Sequence, residues 1–443
     1  MFGIDIPLYM FGYFGILVML VLAIAGMPMA YAMCGVAAVG LSLTLSPWLA
    51  ATQTMMVGWT QAKNFSLLSI PLFIFMGTIA FRTGIVSELF AAMKKWVGWL
   101  PGGLAASGVL AGAGFGAVTG STAAAAVTFG STIVPELERA GYNQRFVAGT
   151  MAACAGFGAI LPPSVFVIIY AVLTDQSPGQ MFIAIVNPGL LAIFLFVLYC
   201  VIRCWLNPSL GGSIPPASWK ERILALPAVI PVVIVFGVVI GSIFMGFATP
   251  TEAAAFGVIS MILVAAGMGR LKKALLATAF REGAKMSAAI FFLFIGGWLM
   301  SRFLVTCGTT RHMVSTFVNM NMGYFELLVW IFILLLVIGT VLESTSLLIL
   351  TMPILYPIIM AYGVDPIWFG AFVTFMMALA GITPPTGLNV FCIRGVCQHI
   401  PLTQIFIGAA PYIVIYSAIV LIMIFFPDFV MAPVHAMTAA RGF

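Results

Sequence analysis

The amino-acid sequence predicts an all-α polytopic membrane protein, an inverted-topology repeat with five spans and one re-entrant hairpin in each half. Three observations lead there. Of 443 residues, 63% are hydrophobic and 7% charged, against roughly 25% charged in soluble domains; mean hydropathy is +1.18. No soluble core buries that much apolar surface, so lipid must be the solvent. Basic residues gather in alternate short loops. And one polar interruption occurs twice in membrane-grade sequence. Gly-Ala-Val-Thr-Gly-Ser-Thr at 116–122 precedes Ile-Leu-Pro-Pro-Ser at 160–164; Gly-Thr-Val-Leu-Glu-Ser-Thr at 339–345 precedes Ile-Thr-Pro-Pro-Thr at 382–386.

The first apolar run, Tyr9 to Ala25, lacks a basic leader and a cleavage site, so it reads as a retained span over 8–26. Pro28 opens a second span at 28–46, and a third follows at 66–84. Residues 102–137 hold two apolar runs parted by Thr119 to Thr122. Each run is about 17 residues, at the short limit for a crossing, so the segment reads as a hairpin that turns at mid-depth. Residues 145–173 form a span broken at Pro162-Pro163, and 181–203 closes the first half, 1–205. A basic, Pro-containing cytoplasmic linker, 206–223, leads to the second half, 224–430. There the spans are 224–245, 250–268 and 286–305, then hairpin 325–362, broken span 366–394 and span 403–426, followed by a tail, 431–443.

With the N-terminus outside, loops 85–101, 136–146, 203–223, 269–286 and 394–402 fall inside. They hold 13 of the 18 Lys and Arg residues, as the positive-inside rule requires. Lys63, Arg311 and Arg441 fall outside with Asp5, Asp175, Glu326, Asp365 and Asp428. Reading either hairpin as a crossing would invert everything after it and spoil that bias. Five crossings are odd, so the second half enters from the opposite face. One hairpin then opens from the cytoplasm, the other from outside. The net charge of +6 has this topological cause and is not a nucleic-acid signal.

Pro28, Gly35, Val36, Pro135, Gly141 and Pro162-Pro163 recur 222 positions later as Pro250, Gly257, Val258, Pro357, Gly363 and Pro384-Pro385. By residue identity the hairpin tip slips by one, Ser121 pairing with Ser344. A tip at mid-depth exposes backbone groups without helical partners, which is costly in hydrocarbon, so it must face another polar element. The prolines supply one: they remove donors, push the preceding residue out of the helical region and free the carbonyls around Gly158 to Leu161 and Gly381 to Thr383. With Ser and Thr hydroxyls these form a hard-oxygen cage suited to dehydrated Na⁺. The first candidate Na⁺ site is Thr119, Gly120, Ser121, Thr122, Gly158, Ile160, Pro162 and Ser164. The second is Glu343, Ser344, Thr345, Gly381, Thr383 and Pro384. The outgoing half-helices offer N–H groups and positive dipole ends to a carboxylate or sulfonate. A small organic anion is therefore placed between the tips, with Ser164, Thr386 and Asn389 as candidate ligands. No cofactor is implied beyond Na⁺ as coupling ion.

Blander readings compete at single residues. Ser and Thr in membrane helices bond to the backbone one turn earlier, which accounts for Thr119 or Thr340 taken alone. Glu343, the one acid placed near mid-depth, is either functional, a protonated group bonded within the hairpin, or the cap of a helix starting at Ser344. Glu252 suits the first turn after Pro250. Arg82 and Arg302 lie near span ends, where long side chains snorkel. Seven cysteines without a Cys-x-x-Cys pair read as small apolar residues, and three scattered histidines make no metal site.

Five stretches also carry a resemblance: Ser-Ile-Pro-Leu-Phe-Ile-Phe-Met-Gly (69–77), Gly-Ser-Thr-Ala-Ala-Ala (120–125), Ile-Leu-Pro-Pro-Ser (160–164), Gly-Phe-Ala-Thr-Pro-Thr-Glu-Ala-Ala-Ala (246–255) and Gly-Ile-Thr-Pro-Pro-Thr-Gly (381–387). Over nearly its whole length the chain resembles the large membrane subunit of tripartite ATP-independent periplasmic (TRAP) transporters, the DctM-like family. The resemblance implies a multi-pass protein of the bacterial inner membrane. It also implies two partners: a small four-helix membrane subunit, and a periplasmic substrate-binding protein that captures an organic acid such as a C4-dicarboxylate. Transport would be an elevator motion driven by Na⁺, with hairpins and broken helices moving against spans 8–46 and 224–268. The amphipathic basic stretch Leu271 to Arg281 suits an arm linking the two. The family usually shows Ser-Gly-Ser at the first tip; Thr119-Gly120-Ser121 keeps the hydroxyl and adds a methyl.

The sequence therefore reads as a Na⁺-coupled importer subunit for a small organic anion. The alternative is a stand-alone Na⁺/dicarboxylate-type carrier without a binding protein. An intramembrane enzyme would need paired acids or a histidine cluster, and a channel does not need two opposed hairpins.

Overall fold

The computed structural model describes residues 7 to 440, so Asp5, Arg441 and the end of the tail lie outside the described residues. Among these the chain is helical throughout, with no strand. The first half contains α1 (Leu8–Ile24), α2 (Met29–Thr44), α3 (Pro47–Ala62), α4 (Ser69–Thr83), α5 (Ile85–Val97), α6 (Gly103–Thr119) and α7 (Thr122–Arg139). It continues with α8 (Gln144–Cys154), α9 (Phe157–Ile160), α10 (Val165–Thr174), α11 (Pro178–Ala184) and α12 (Val186–Leu206). The second contains α13 (Trp219–Ala225), α14 (Ile230–Phe244), α15 (Pro250–Gly267), α16 (Lys273–Thr306), α17 (Thr309–Asn319) and α18 (Tyr324–Gly339). It ends with α19 (Ser344–Ala361), α20 (Pro366–Ala380), α21 (Leu388–Val396), α22 (Leu402–Phe425) and α23 (Pro427–Ala440). Among the described residues six helical segments, α11 with α12 counted as one and α19 among them, are long and apolar enough to cross a bilayer, and two bent pairs qualify jointly. One is α8–α9 with α10, bent by 41° at the first Pro-Pro.

Both predicted hairpins fold back on themselves. In the first, a Cβ on Gly112 would lie 3.2 Å from Phe129, and one on Gly108 3.3 Å from Ile133. These pairs sit at matching distances either side of the turn, as antiparallel helices require. In the second, Ile331 and Leu334 share a groove with Leu355 and Ile358. The two bases are tied to different loops. Beside the first, Lys94 pairs with Glu136 at 3.1 Å, His399 with Glu138 at 2.8 Å, and the Tyr142 hydroxyl donates to the Gly212 carbonyl. Beside the second, the Tyr362 hydroxyl donates to the Phe317 carbonyl at 2.7 Å and the Tyr170 hydroxyl to the Pro366 carbonyl at 2.8 Å.

Helix limits repeat at the spacing the prolines show. Moved by 222, α7 coincides with α19 end to end, and 144–174 becomes 366–396, the limits of α20 and α21. The one-residue slip at the tips disappears. Ser121 is the N-cap of α7 and Glu343 the N-cap of α19, 222 apart. Identity pairs the two serines; helix geometry pairs the two caps. The two tips differ before the cap, where α18 stops at Gly339 and leaves 340–342 non-helical.

Several elements are not legible in the sequence. Residues 47–62, a loop by hydropathy, form α3, started by Pro47 at its first turn and the Ser46 side chain accepting from Leu49 N at 3.3 Å. Its polar residues hide it from a hydropathy window. Short helices α5, α11, α17 and α23 escape likewise, and α23 covers most of the tail. The arm at 271–281 and the span at 286–305 are one helix of 34 residues, α16, because no proline or cap separates them. Arg82 and Arg302 do not snorkel freely. Arg82 pairs with Glu282 at 2.5 Å and Arg302 donates to Gln53 at 3.0 Å, since α16 runs beside α4 and α3. Thr249 and Glu252 form the predicted cap of α15.

Burial sorts the helices by role. α20 is buried along nearly its whole length and α6 almost so, while Phe14, Leu17 and Val21 of α1 and Phe194 and Trp205 of α12 are exposed to the apolar surroundings. The first hairpin and α20 thus lie inside, whereas α18 of the second hairpin keeps an exposed apolar face that includes Phe325, Trp330 and Val337.

Candidate functional site

The first tip is held by backbone contact that only glycine permits. Gly120 closes α6 in the left-handed region at φ 59°. A Cβ there would lie 2.7 Å from the Pro163 carbonyl oxygen. One on Gly158 would lie 2.8 Å from the Ser121 carbonyl carbon, and one on Gly77 2.6 Å from the Thr119 carbonyl oxygen. The tip therefore sits in the first Pro-Pro break with α4 across it. Ser121 caps α7, its Oγ accepting from Ala124 N at 3.4 Å, and Thr119 bonds back to the Phe115 carbonyl at 3.1 Å.

The second tip is held by hydrogen bonds. Ser344 Oγ donates to the Met377 carbonyl at 2.9 Å, and Thr386 gives its N–H (3.2 Å) and hydroxyl (2.9 Å) to the Thr340 carbonyl. Thr383 bonds back to the Leu379 carbonyl at 2.7 Å, and the Gly381 carbonyl accepts from Asn389 N at 2.9 Å. Glu343 caps α19: its carboxylate accepts from Thr345 N at 3.0 Å and Ser346 N at 3.1 Å, and from both side-chain hydroxyls.

Each break also leaves polar atoms without a partner. Ser164, just after the cis Pro162–Pro163 bond, is fully buried and its hydroxyl has no hydrogen-bond partner. Asn389, just beyond the cis Pro384–Pro385 bond, is fully buried and neither its amide oxygen nor its nitrogen has one. Buried polar groups are almost always paired, so each of these atoms has an open hydrogen-bonding position at its break. Backbone oxygens stand close by. Pro162 and Pro163 have no N–H to return to the carbonyls of Gly158 and Ala159 four residues earlier.

Between the tips lies a cavity of about 100 Å³. It is walled by Ser121 and Thr122, Val165 and Phe166, Glu343 and Thr345, and Leu388, with α4 and α16 closing the sides. Four helices of at least nine residues begin there: α7, α10, α19 and α21. Their first-turn N–H groups have no intrahelical partner, and their dipoles point positive ends at one volume. The sequence points to these half-helix ends. It also offers Ser164, Thr386 and Asn389 as anion ligands; none of the three lines this cavity, and Thr386 is instead bonded to the Thr340 carbonyl at the second tip. The convergence of four N-termini is invisible in the sequence, since it depends on which halves face each other. Among the described residues no group of His, Cys, Asp and Glu is arranged to hold a metal ion.

Comparison with known proteins adds an independent finding. The family described as "Tripartite ATP-independent periplasmic transporter, DctM component" matches residues 16–429. A C4-dicarboxylate TRAP transporter large permease from Pseudomonas aeruginosa is 30% identical over 83% of this chain and 85% of its own length. The sialic acid TRAP transporter large permease of Vibrio cholerae is 29% identical over 95% and 96%. An ectoine/5-hydroxyectoine large permease from Ruegeria pomeroyi is 29% identical over 93% and 96%. Two solved structures share the fold: the YdaH transporter of Alcanivorax borkumensis (TM-score 0.57, 14% identity, 90% of this chain and 89% of that one) and MtrF of Neisseria gonorrhoeae (0.55, 13%, 96% of each).

Proposed function

The chain belongs to the DctM component family of tripartite ATP-independent periplasmic transporters, and from that premise we propose a Na⁺-coupled importer subunit for a small organic anion, working by an elevator motion. It acts in the inner membrane with a small membrane subunit and a periplasmic binding protein. The observation that carries the anion is the meeting of four helix N-termini at one cavity between two hairpin tips. The relatives' cargoes, C4-dicarboxylates, sialic acid and ectoine, have a carboxylate in common.

Na⁺ fits the two breaks. Ser164 and Asn389 are orphaned oxygen donors beside carbonyls freed by proline, one set per half, and oxygen-rich cages are what a hard monovalent cation requires. In this reading Ser164 and Asn389 serve the cation, and the helix ends serve the substrate. Ser121 and Ser344 join tip to cage, while Glu343 satisfies the end of α19. Hairpins and breaks move as one body, because each tip is seated in its own break.

The test is uptake by proteoliposomes holding the chain with both partners. Ser121→Ala and Ser344→Ala should each raise the half-saturating Na⁺ concentration. Uptake indifferent to Na⁺ would remove the coupling; uptake without the binding protein would favour the stand-alone carrier.

A further inference from the structure

A second cavity, of about 580 Å³, opens between α3, the C-terminal part of α16 and the end of α10. That volume suits a small ligand. Its wall holds polar groups that the central site does not use. α3 presents Gln53 and Gln61, two turns apart on one face, and α16 presents Trp298 and Arg302, one turn apart. Gln61 is only 6% exposed, yet its side-chain oxygen has no hydrogen-bond partner; nor has the buried indole N–H of Trp298. Arg302 commits one donor to Gln53, of the five a guanidinium carries. Asp175, held at φ 54° as the cap of α10, adds a carboxylate. Neither Arg302 nor Asp175 has a salt-bridge partner among the described residues.

We propose that this cavity is a second binding site, for a small carboxylic acid that also carries a hydroxyl or amino group. Arg302 and the Trp298 N–H donate to the carboxylate. Gln61 Oε1 and Asp175 accept from the hydroxyl or ammonium. A plain carboxylate leaves the buried Gln61 oxygen unpaired, which weakens binding roughly tenfold. A second carboxylate would face Asp175. On the elevator reading, which this step rests on, α10 moves with the first break, while α3 and α16 pack on α2 of the frame. Occupancy then ties α10 to the frame in one state of the cycle, on the face where the second hairpin has its base.

The experiment uses the full complex in proteoliposomes, with Thr60→Cys on the cavity wall and the partly exposed Cys34 and Cys392 replaced by serine. An impermeant maleimide labels the thiol introduced on the wall while glycolate or acetate is titrated. Glycolate should slow labelling about fivefold at four times its Kd, and acetate should need about tenfold more. Arg302→Gln should abolish the protection and Arg302→Lys keep part of it. Ser121→Ala, which alters only the central site, should leave it intact. No slowing by glycolate overturns the proposal, as does protection that survives in Arg302→Gln or vanishes in Ser121→Ala. Labelling needs neither Na⁺ nor uptake, so its outcome is separable from that of the transport assay.

Discussion

Gly158→Ala asks whether the first tip and the first break are one unit. The added Cβ would stand 2.8 Å from the Ser121 carbonyl carbon, 2.9 Å from its oxygen and 3.1 Å from its nitrogen. Ordinary contact begins near 3.4 Å, so the tip must retreat by roughly 0.6 Å. The opposing atoms are backbone and have no rotamer to yield. Forced overpacking costs about 1–3 kcal/mol. If the bound ion draws tip and break together, that energy is charged against Na⁺, and its apparent affinity falls about 5- to 150-fold. The measurement is a Na⁺ titration of uptake in proteoliposomes with both partners. Gly237→Ala on α14 is the control, because nothing stands within 4 Å of its Cβ. Equal thermal midpoints exclude misfolding as the cause. A Gly158→Ala carrier with the parental Na⁺ half-saturation refutes the idea that Na⁺ binds where tip meets break.

Glu343→Gln keeps one acceptor for the end of α19, so its thermal midpoint should stay near parental while Glu343→Ala loses about 0.5–2 kcal/mol of stability in thermal melts. Uptake abolished in Glu343→Gln at an unchanged midpoint would give the carboxylate a transport role beyond its cap. For topology, Lys95→Cys and Ala140→Cys flank the first hairpin and should label from the cytoplasm, whereas Met320→Cys and Ala361→Cys flank the second and should label from outside. A hairpin whose two flanks label from different faces is a crossing, and the inverted repeat fails with it.

Hairpins and breaks are legible in the sequence because proline, glycine and short apolar runs act locally. Pro162-Pro163 ends a helix wherever it stands, and about 17 apolar residues are marginal for a crossing in any neighbourhood. What depends on facing partners is not legible. Arg82 looks free until α16 brings Glu282 alongside. Thr386 has no visible partner until the second tip offers its Thr340 carbonyl. The register of the tips is the sharpest case. Matching Ser121 with Ser344 by identity hides that the residue equivalent to Ser121 is Glu343, since only helix geometry shows which residue caps.

That equivalence has an electrostatic consequence on the proposed reading. Each helix N-terminus carries roughly half a positive charge, so four converging ends present about +2. Ser121 caps α7 with a neutral hydroxyl, but Glu343 caps α19 with a carboxylate. The cavity is left near +1, balanced for a monoanion. A dicarboxylate would leave about one negative charge uncompensated by the helix ends. A Na⁺ at either break supplies it within the same body. Coupling then needs no separate latch: the cation and the second carboxylate are each unfavourable alone and favourable together. A carrier with Glu343→Gln would shift the balance by one charge, and its preference between mono- and dicarboxylates at low Na⁺ should move toward the dianion.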